Sequence, residues 1–340
     1  VEVAGGTGSA KNWISQALAS KKPVITANKD LIATAGLELQ DIATKAQVPL
    51  LYEAAVAGGI PIISTLRQYY RTDTIRSLTG IVNGTTNFML TQMAQNGLSY
   101  DQALKQAQDL GFAEADPTND VAGYDASFKA LILARLVFGV QANLTDIKIT
   151  GIQKITANDI AAVNVLGGQI KLLFAIDQVN ADQVSLFVAP QVVTGDSLLA
   201  QVHNENNAIA VNSDNLGQAL YYGPGAGARP TAQAVLADII EAAFAPKEAR
   251  QPAPIKSMTL TAPHAQAYCW IMNEPTPATS PNLAPELTAL ISQQGNHEIN
   301  ENTSQLVVFT KELTQDQHNQ LLSAFSTNHS LSQEFVISPC

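Results

Sequence analysis

PVITANKDLIATAGLELQDIATKAQVPLLYEAAV, residues 23–56, is the stretch that decides the fold class. Residues 23–27 are short, apolar and β-branched, as a buried strand requires. Asn28 stands where a helix N-cap belongs, and apolar residues recur at three- and four-residue spacing across residues 28–45. Residues 48–56 turn apolar again and predict a second strand. Strand, helix and strand in this order make a βαβ unit, which implies a parallel sheet.

Working outward, the chain opens as the end of a strand running into Gly5-Gly6-Thr7-Gly8, with an amphipathic helix expected over residues 11–20. Backbone N–H groups of such a turn can face a phosphate or a ribose, although the spacing is not G-x-G-x-x-G. After residue 61 the pattern predicts a helix over 62–70, a strand over 74–82 and helices over 86–96 and 100–110. An irregular segment at 111–123 leads into an apolar helix. Within 147–211, KLLFAIDQV and QVSLFVAPQVV alternate as antiparallel strands with one wet face would. Tyr222-Gly-Pro-Gly-Ala-Gly-Ala-Arg-Pro opens a helix expected over 231–244, and residues 246–254 read as a linker rich in Pro and charge. Beyond it, helices at 283–294 and 314–326 among short strands give βαββαβ, the order of a ferredoxin-like module.

Composition narrows the function. The 340 residues are 46% hydrophobic and 14% charged, and 19 Lys+Arg against 29 Asp+Glu leave a net charge of −10. A phosphate backbone meets no general positive field on such a chain, so a nucleic-acid partner is not expected. The most apolar stretch, residues 126–140, is interrupted by Lys129 and Arg135, which argues against a membrane span. Two cysteines, Cys269 and Cys340, make neither a disulfide framework nor a zinc site, and the expected compartment is the cytoplasm.

Most of the chemistry lies in GFAEADPTNDVAGYDASFK, residues 111–129. Asp125 and Lys129 stand at i and i+4 and share a helix face. A surface ion pair there is worth about 0.3–0.5 kcal/mol. The neighbours Phe128, Leu131, Ile132, Leu133, Leu136 and Val137 surround the helix with apolar groups, and a lysine on a buried helix beside an aspartate is a candidate acid/base. The residues alone leave both readings open. Glu114, Asp116, Asp120 and Asp125 do not follow the spacing of a calcium loop; Pro117 reads as punctuation, with Asn119 or Asp120 as the N-cap behind it.

Five ordered blocks, Thr26-Ala-Asn-Lys29, Tyr52 through Ile63, Gly80-Ile-Val-Asn-Gly-Thr85-Thr-Asn-Phe, Gly111 through Lys129 and Gly223-Pro-Gly-Ala-Gly-Ala-Arg-Pro-Thr231, together resemble homoserine dehydrogenase across residues 1–245. The resemblance implies NAD(P)-dependent interconversion of L-aspartate 4-semialdehyde and L-homoserine, on the way to threonine, methionine and isoleucine, in a cytoplasmic homodimer or homotetramer. It implies an α/β fold: part of a Rossmann-type dinucleotide domain (1–62), an α+β substrate-binding and dimerisation domain (63–222), a return segment (223–245) and a linker (246–256). The last part (257–340) is similar to the ferredoxin-like ACT regulatory domain, for which threonine is the expected feedback ligand.

Carried over residue by residue, the resemblance makes Lys129 the proton donor and places Lys29 between cofactor and substrate. Glu114, Asp125 and Thr85 become substrate contacts, and Thr7, Gly111, Gly225 and Gly227 lie near the NAD or NADP, although Gly225 and Gly227 also suit close helix-to-sheet packing. A monovalent cation, sodium, is implied on main-chain carbonyls of Glu53, Val56, Gly58 and Ile60, a segment that otherwise reads as an ordinary turn. The family opens with a strand and a G-x-G-x-x-G turn for the pyrophosphate, which this sequence does not contain ahead of Val1. Two expectations follow: weak cofactor binding by these 340 residues, and, as the alternative to an enzyme, a catalytically inactive regulatory or assembly fragment.

Overall fold

The computed structural model describes residues 1–244, 257–263, 265–273, 283–300, 303–326 and 329–338. The linker expected at 246–254 and Cys340 lie outside the described residues.

The βαβ reading holds in its essentials. Helix α1 (Ser9–Ala19) precedes strand β1 (Val24–Ile25), helix α2 (Lys29–Ala46) and strand β2 (Leu50–Leu51), and β1 pairs with β2 in parallel. Asn28 caps α2 as expected, its side chain accepting from the Leu31 N–H at 3.1 Å. A parallel bridge from Glu2 to Thr26 adds the chain start to this small sheet, fixed by a 2.6 Å hydrogen bond from the Thr26 hydroxyl to the Glu2 carboxylate. The strand expected over 48–56 shrinks to two residues. The reason is Glu53, whose buried carboxylate turns away to accept the Ile63 and Ser64 N–H groups at 2.8 and 2.7 Å, capping helix α3 (Ile62–Gln68).

Next come strand β3 (Ile75–Ile81), helices α4 (Gly84–Asn96) and α5 (Tyr100–Asp109), a short α6 (Thr118–Val121) and the apolar helix α7 (Tyr124–Phe138). Neither Asn119 nor Asp120 is an N-cap: Asp116 accepts from the Thr118 N–H at the start of α6, and Gly123, at φ 87°, leads into α7. Left-handed backbone at that junction needs a glycine. Strand β4 (Lys148–Ile149), helix α8 (Ala157–Asn164) and strands β5 (Gly168–Gln178), β6 (Gln183–Thr194), β7 (Asn206–Ser213) and β8 (Gly217–Pro224) follow, then helix α9 (Ala228–Phe244).

The long hairpin of β5 and β6 does not have the wet face expected of it. Leu172, Phe174, Ile176, Val188 and Val192 pack into the main core, while Leu173 and Val193 join Leu199, Ala200 and Val202 in a second cluster. The segment over residues 198–201 folds across the second face, so both faces are covered.

The C-terminal part runs β9 (Thr259–Leu260), β10 (Ala267–Asn273), α10 (Pro285–Thr288), β11 (Ile291–Asn300), β12 (Thr303–Thr310), α11 (Gln315–Phe325) and β13 (Ser330–Ile337). From β10 onward this is βαββαβ, and the order β11-β12-β10-β13 is that of a ferredoxin-like sheet. The helix expected over 283–294 is confined to α10, because Ile291 begins a strand that pairs antiparallel with β12 as far as Asn300; ladder pairing overrides the local preference. Strand β13 also pairs in parallel with β6, Val336 against Gln191 and Ile337 against Val192, which joins this sheet to the central one. Among the described residues, no helix is long and apolar enough to cross a membrane.

Candidate active site

A cleft of about 710 Å³ opens beyond the carboxyl ends of β1, β2, β3 and β8. Ligand sites in α/β folds favour that position, since loops there can vary without disturbing the sheet. Lys29, Asn83, Thr85, Gly111, Glu114, Asp120, Asp125, Lys129, Gly225 and Gly227 all line it.

Its centre is a carboxylate shared between two cations. Asp125 lies in the first turn of α7, where the helix dipole favours a negative charge. Its Oδ2 meets Lys129 Nζ at 2.6 Å and accepts from Asn83 Nδ2 at 2.9 Å, while its Oδ1 lies 3.3 Å from Lys29 Nζ. Lys129 also donates to the Val82 carbonyl at 2.7 Å. Burial alone would push the Asp125 carboxyl up, yet Lys129, Lys29 and the Asn83 hydrogen bond outweigh it and hold the group below the usual carboxylate range. Lys29 answers in kind: burial pulls it down, but Asp125 and Asp30 leave it above the ordinary lysine value. Of the two readings left open by the sequence, the geometry favours the buried pair, with side-chain exposures of 13% for Lys129 and 10% for Asp125.

Asn83 is the organiser that the sequence did not single out. It follows β3 by two residues and caps α4, accepting from the Thr86 N–H at 2.9 Å, while its Nδ2 bridges Asp125 and Asp120, the latter at 2.7 Å. Burial lifts Asp120 above the ordinary aspartate value despite that bond. An Asn between a strand and a helix was a visible cap signal; its second role depends on residues about forty positions away and was not. Thr85, the second residue of α4, donates to the Phe112 carbonyl at 2.6 Å and so holds the loop that carries Gly111 and Glu114. Glu114 is exposed at the rim. Glu205 and Asn207 complete the lining and had no sequence signal.

The glycines are explained by close backbone approach. Gly58 and Gly59 N–H groups bond the Gly225 and Pro224 carbonyls at 3.0 Å each, and a Cβ on Gly59 would lie 2.5 Å from the Pro224 oxygen. A Cβ on Gly225 would strike the Asn207 side chain. Gly111 and Gly227 have positive φ, 78° and 114°.

Thr7 is exposed in the turn before α1 and outside the cleft lining, although Asn28 Nδ2 bonds the Gly6 carbonyl at 2.8 Å and ties that turn to the neighbourhood of Lys29. Glu53, Val56, Gly58 and Ile60 lie behind the lining, in a turn where Ala57 takes φ 48°. The Glu53 N–H donates to the buried Asp238 carboxylate at 2.9 Å; burial, with the negative charges of Glu53 and Glu241, outweighs that bond and pushes Asp238 up to about 7. No group of three or more His, Cys, Asp or Glu suited to a metal occurs among the described residues.

Fold and cleft define an α/β protein with a lysine–carboxylate centre between a small parallel sheet and a larger mixed one. The homoserine dehydrogenase family matches residues 61–240, and the chain belongs to that family. It is 46% identical over 240 residues to the homoserine dehydrogenase of Bacillus subtilis, an alignment covering 71% of this chain and 55% of that protein. The chain thus spans little more than half the length of that relative. The structure of a homoserine dehydrogenase from Thiobacillus denitrificans superposes with a TM-score of 0.86 at 32% identity, over 99% of this chain and 81% of that one. A hyperthermophilic archaeal homoserine dehydrogenase, solved in complex with NADPH, matches with a TM-score of 0.60 at 30% identity over 69% of this chain and 68% of its own.

Proposed function

We propose that the cleft is the substrate site of an NAD(P)-dependent oxidoreductase that interconverts L-aspartate 4-semialdehyde and L-homoserine in amino-acid biosynthesis. The observation that carries this reading is Lys129, held by Asp125 and the Val82 carbonyl on the cleft wall. An ammonium has three donors, and two are engaged here, which leaves one for a substrate oxygen. Reduction of an aldehyde places negative charge on its oxygen, and Lys129 would deliver the proton; in the reverse direction it would take the proton from the hydroxyl. Asp125, Glu114 and Thr85 suit the substrate's α-ammonium and hydroxyl groups, because carboxylates and a hydroxyl supply acceptors.

A nicotinamide dinucleotide, when bound, would supply or accept the hydride. The residues present are compatible with its nicotinamide end: the Gly111, Gly225 and Gly227 backbones line the cleft together with Lys29. The archaeal relative's NADPH supports NADP or NAD as the cofactor class. For the monovalent cation, the carbonyls of Glu53, Val56, Gly58 and Ile60 are a donor set that suits a hard ion such as sodium. Assembly as a homodimer or homotetramer, a cytoplasmic location and threonine regulation through the ferredoxin-like module belong to the same reading.

The test is nicotinamide absorbance with L-homoserine and NADP, for wild type and Lys129→Ala, both in a chain extended N-terminally by a strand and a G-x-G-x-x-G turn. A homoserine-dependent rate in wild type that falls by about 10²–10⁴ in the variant is expected. Equal rates would remove Lys129 from the chemistry, and no rate in wild type would count against the function.

A further inference from the structure

A second buried lysine is used by nothing described so far. Lys171, on β5, is 2% exposed and has no carboxylate partner in an ion pair among the described residues. Burying an unpaired ammonium is costly, so the side chain must be doing something at that place. Burial brings Lys171 down to about 8.

Its ammonium donates to the Val202 carbonyl at 2.7 Å and to Asn87 Oδ1 at 3.3 Å. Asn87, on α4, spends its own Nδ2 on the same stretch of backbone, at the carbonyls of Val202 (3.1 Å), Asn204 (2.8 Å) and Asn206 (3.2 Å). One turn further along α4, Thr91 accepts from the Asn204 N–H at 3.1 Å, and Gln92 donates to the Asn204 side chain at 3.2 Å. Asn204 is held at φ 56°, a left-handed conformation that asparagine tolerates better than most residues. A Cβ on Gly84 would lie 2.7 Å from the Glu205 carbonyl, so the turn is pressed against the start of the helix that carries Thr85. The turn therefore meets α4 at both ends, and meets β5 through the Lys171 ammonium and the apolar cluster that Val202 shares with Leu173.

The turn leads directly into the cleft. Glu205 and Asn207 line it, and Asn207 supports the Gly225 backbone on the far side. Asn207 is 1% exposed, and its buried Oδ1 has no hydrogen-bond partner among the described residues. An orphaned acceptor in a cleft wall is suited to a ligand donor.

We propose that Lys171 is a positioning residue: through the Val202 carbonyl and Asn87 it locks the turn over residues 202–206, so that Glu205 and Asn207 form a fixed wall of the substrate cleft. The effect on catalysis rests on the function proposed above, whereas the effect on the turn does not. Lys171 touches neither the cleft lining nor Lys129, so its loss should weaken ligand binding and leave the proton-transfer step intact.

The experiment uses Lys171→Met, which keeps the length of the side chain without its donors, and Thr91→Val, which loosens the same turn from the helix side. In hydrogen exchange on the full chain, both variants should lose protection over residues 202–207 and keep it in α1 and α2. In steady-state kinetics, KM for homoserine should rise about tenfold with kcat within about twofold. Unchanged exchange at residues 202–207 in folded Lys171→Met overturns the proposal, as does a fall in kcat at constant KM. If Lys171→Met does not fold, Thr91→Val decides on the same two readouts. A wild type without homoserine-dependent turnover fails the functional reading alone, because the exchange result still decides whether Lys171 holds the turn.

Discussion

Two cavities of nearly equal size, about 710 and 700 Å³, occupy different parts of the molecule. The first holds Asp125 between two lysines; the second, between the ferredoxin-like module and β6, holds Glu334, whose Oε2 accepts from Trp270 Nε1 at 2.8 Å and from His318 Nε2 at 2.7 Å. Both carboxylates are well satisfied. In the first the partners are two lysine ammoniums and an amide, and Lys129 keeps a donor to spare; in the second they are the Trp270 indole and the His318 imidazole, packed with Tyr268 and Phe325, and the other His318 ring nitrogen already meets Asn319 Oδ1 at 3.3 Å. Volume is no guide to chemistry here. The charge and spare hydrogen-bonding capacity of the buried groups separate the two.

Asp125→Ala should sharpen this contrast most. It removes the buried carboxylate that Lys29 and Lys129 share and one acceptor of the Asn83 amide, so activity should fall by at least about 10²-fold and stability by about 3 kcal/mol, read from homoserine turnover and a urea titration. If turnover persisted at wild-type level, the two cavities would no longer differ in kind.

Acid provides the next largest effect. The folded-state pKa of Asp125 lies below its ordinary value, so its contribution to stability is complete above the unfolded value and is lost as pH falls through the folded one. Wild type should therefore lose stability below about pH 4 more steeply than Asp125→Asn does, in melting temperatures recorded from pH 5 downward. Parallel curves would mean that the ion pair carries no net stability.

Glu334→Ala leaves the indole N–H of fully buried Trp270 without its acceptor, which should cost about 1–3 kcal/mol while kcat/KM stays within about twofold. A large loss of turnover would give the second cavity a part in the reaction. The smallest effect belongs to the exposed pair of Lys45 and Asp41 on α2. Lys45→Ala should cost under about 0.5 kcal/mol and nothing in rate, and serves as the baseline for the other three.

What the sequence disclosed follows from how local each feature is. The cap at Asn28, the i, i+4 pair of Asp125 and Lys129 and the βαββαβ order of the C-terminal part are set by spacing within one element or by the order of elements. The end of the second strand was not legible, because Glu53 is drawn off to cap a helix that starts nine residues later, at Ile62. The strand Ile291–Asn300 was legible near His297–Ile299, but its first residues, 291–294, read as helix because the ladder to β12 that holds them extended comes from another part of the chain. Asn83, Glu205, Asn207 and Lys171 were missed for the same reason: each acquires its role from partners that the fold brings from distant parts of the chain. Common residue types at turns and in strands give no sign of this beforehand.

Whether Lys129 moves the proton can be decided by chemical rescue. In folded Lys129→Ala, a small primary amine such as ethylamine should fit the space left beside Asp125 and restore part of the lost homoserine-dependent rate, saturating with amine concentration. The restored rate should depend on the amine's pKa as an acid/base step requires. A variant that turns over at the wild-type rate without amine, or whose residual rate is the same with every amine, would contradict the account.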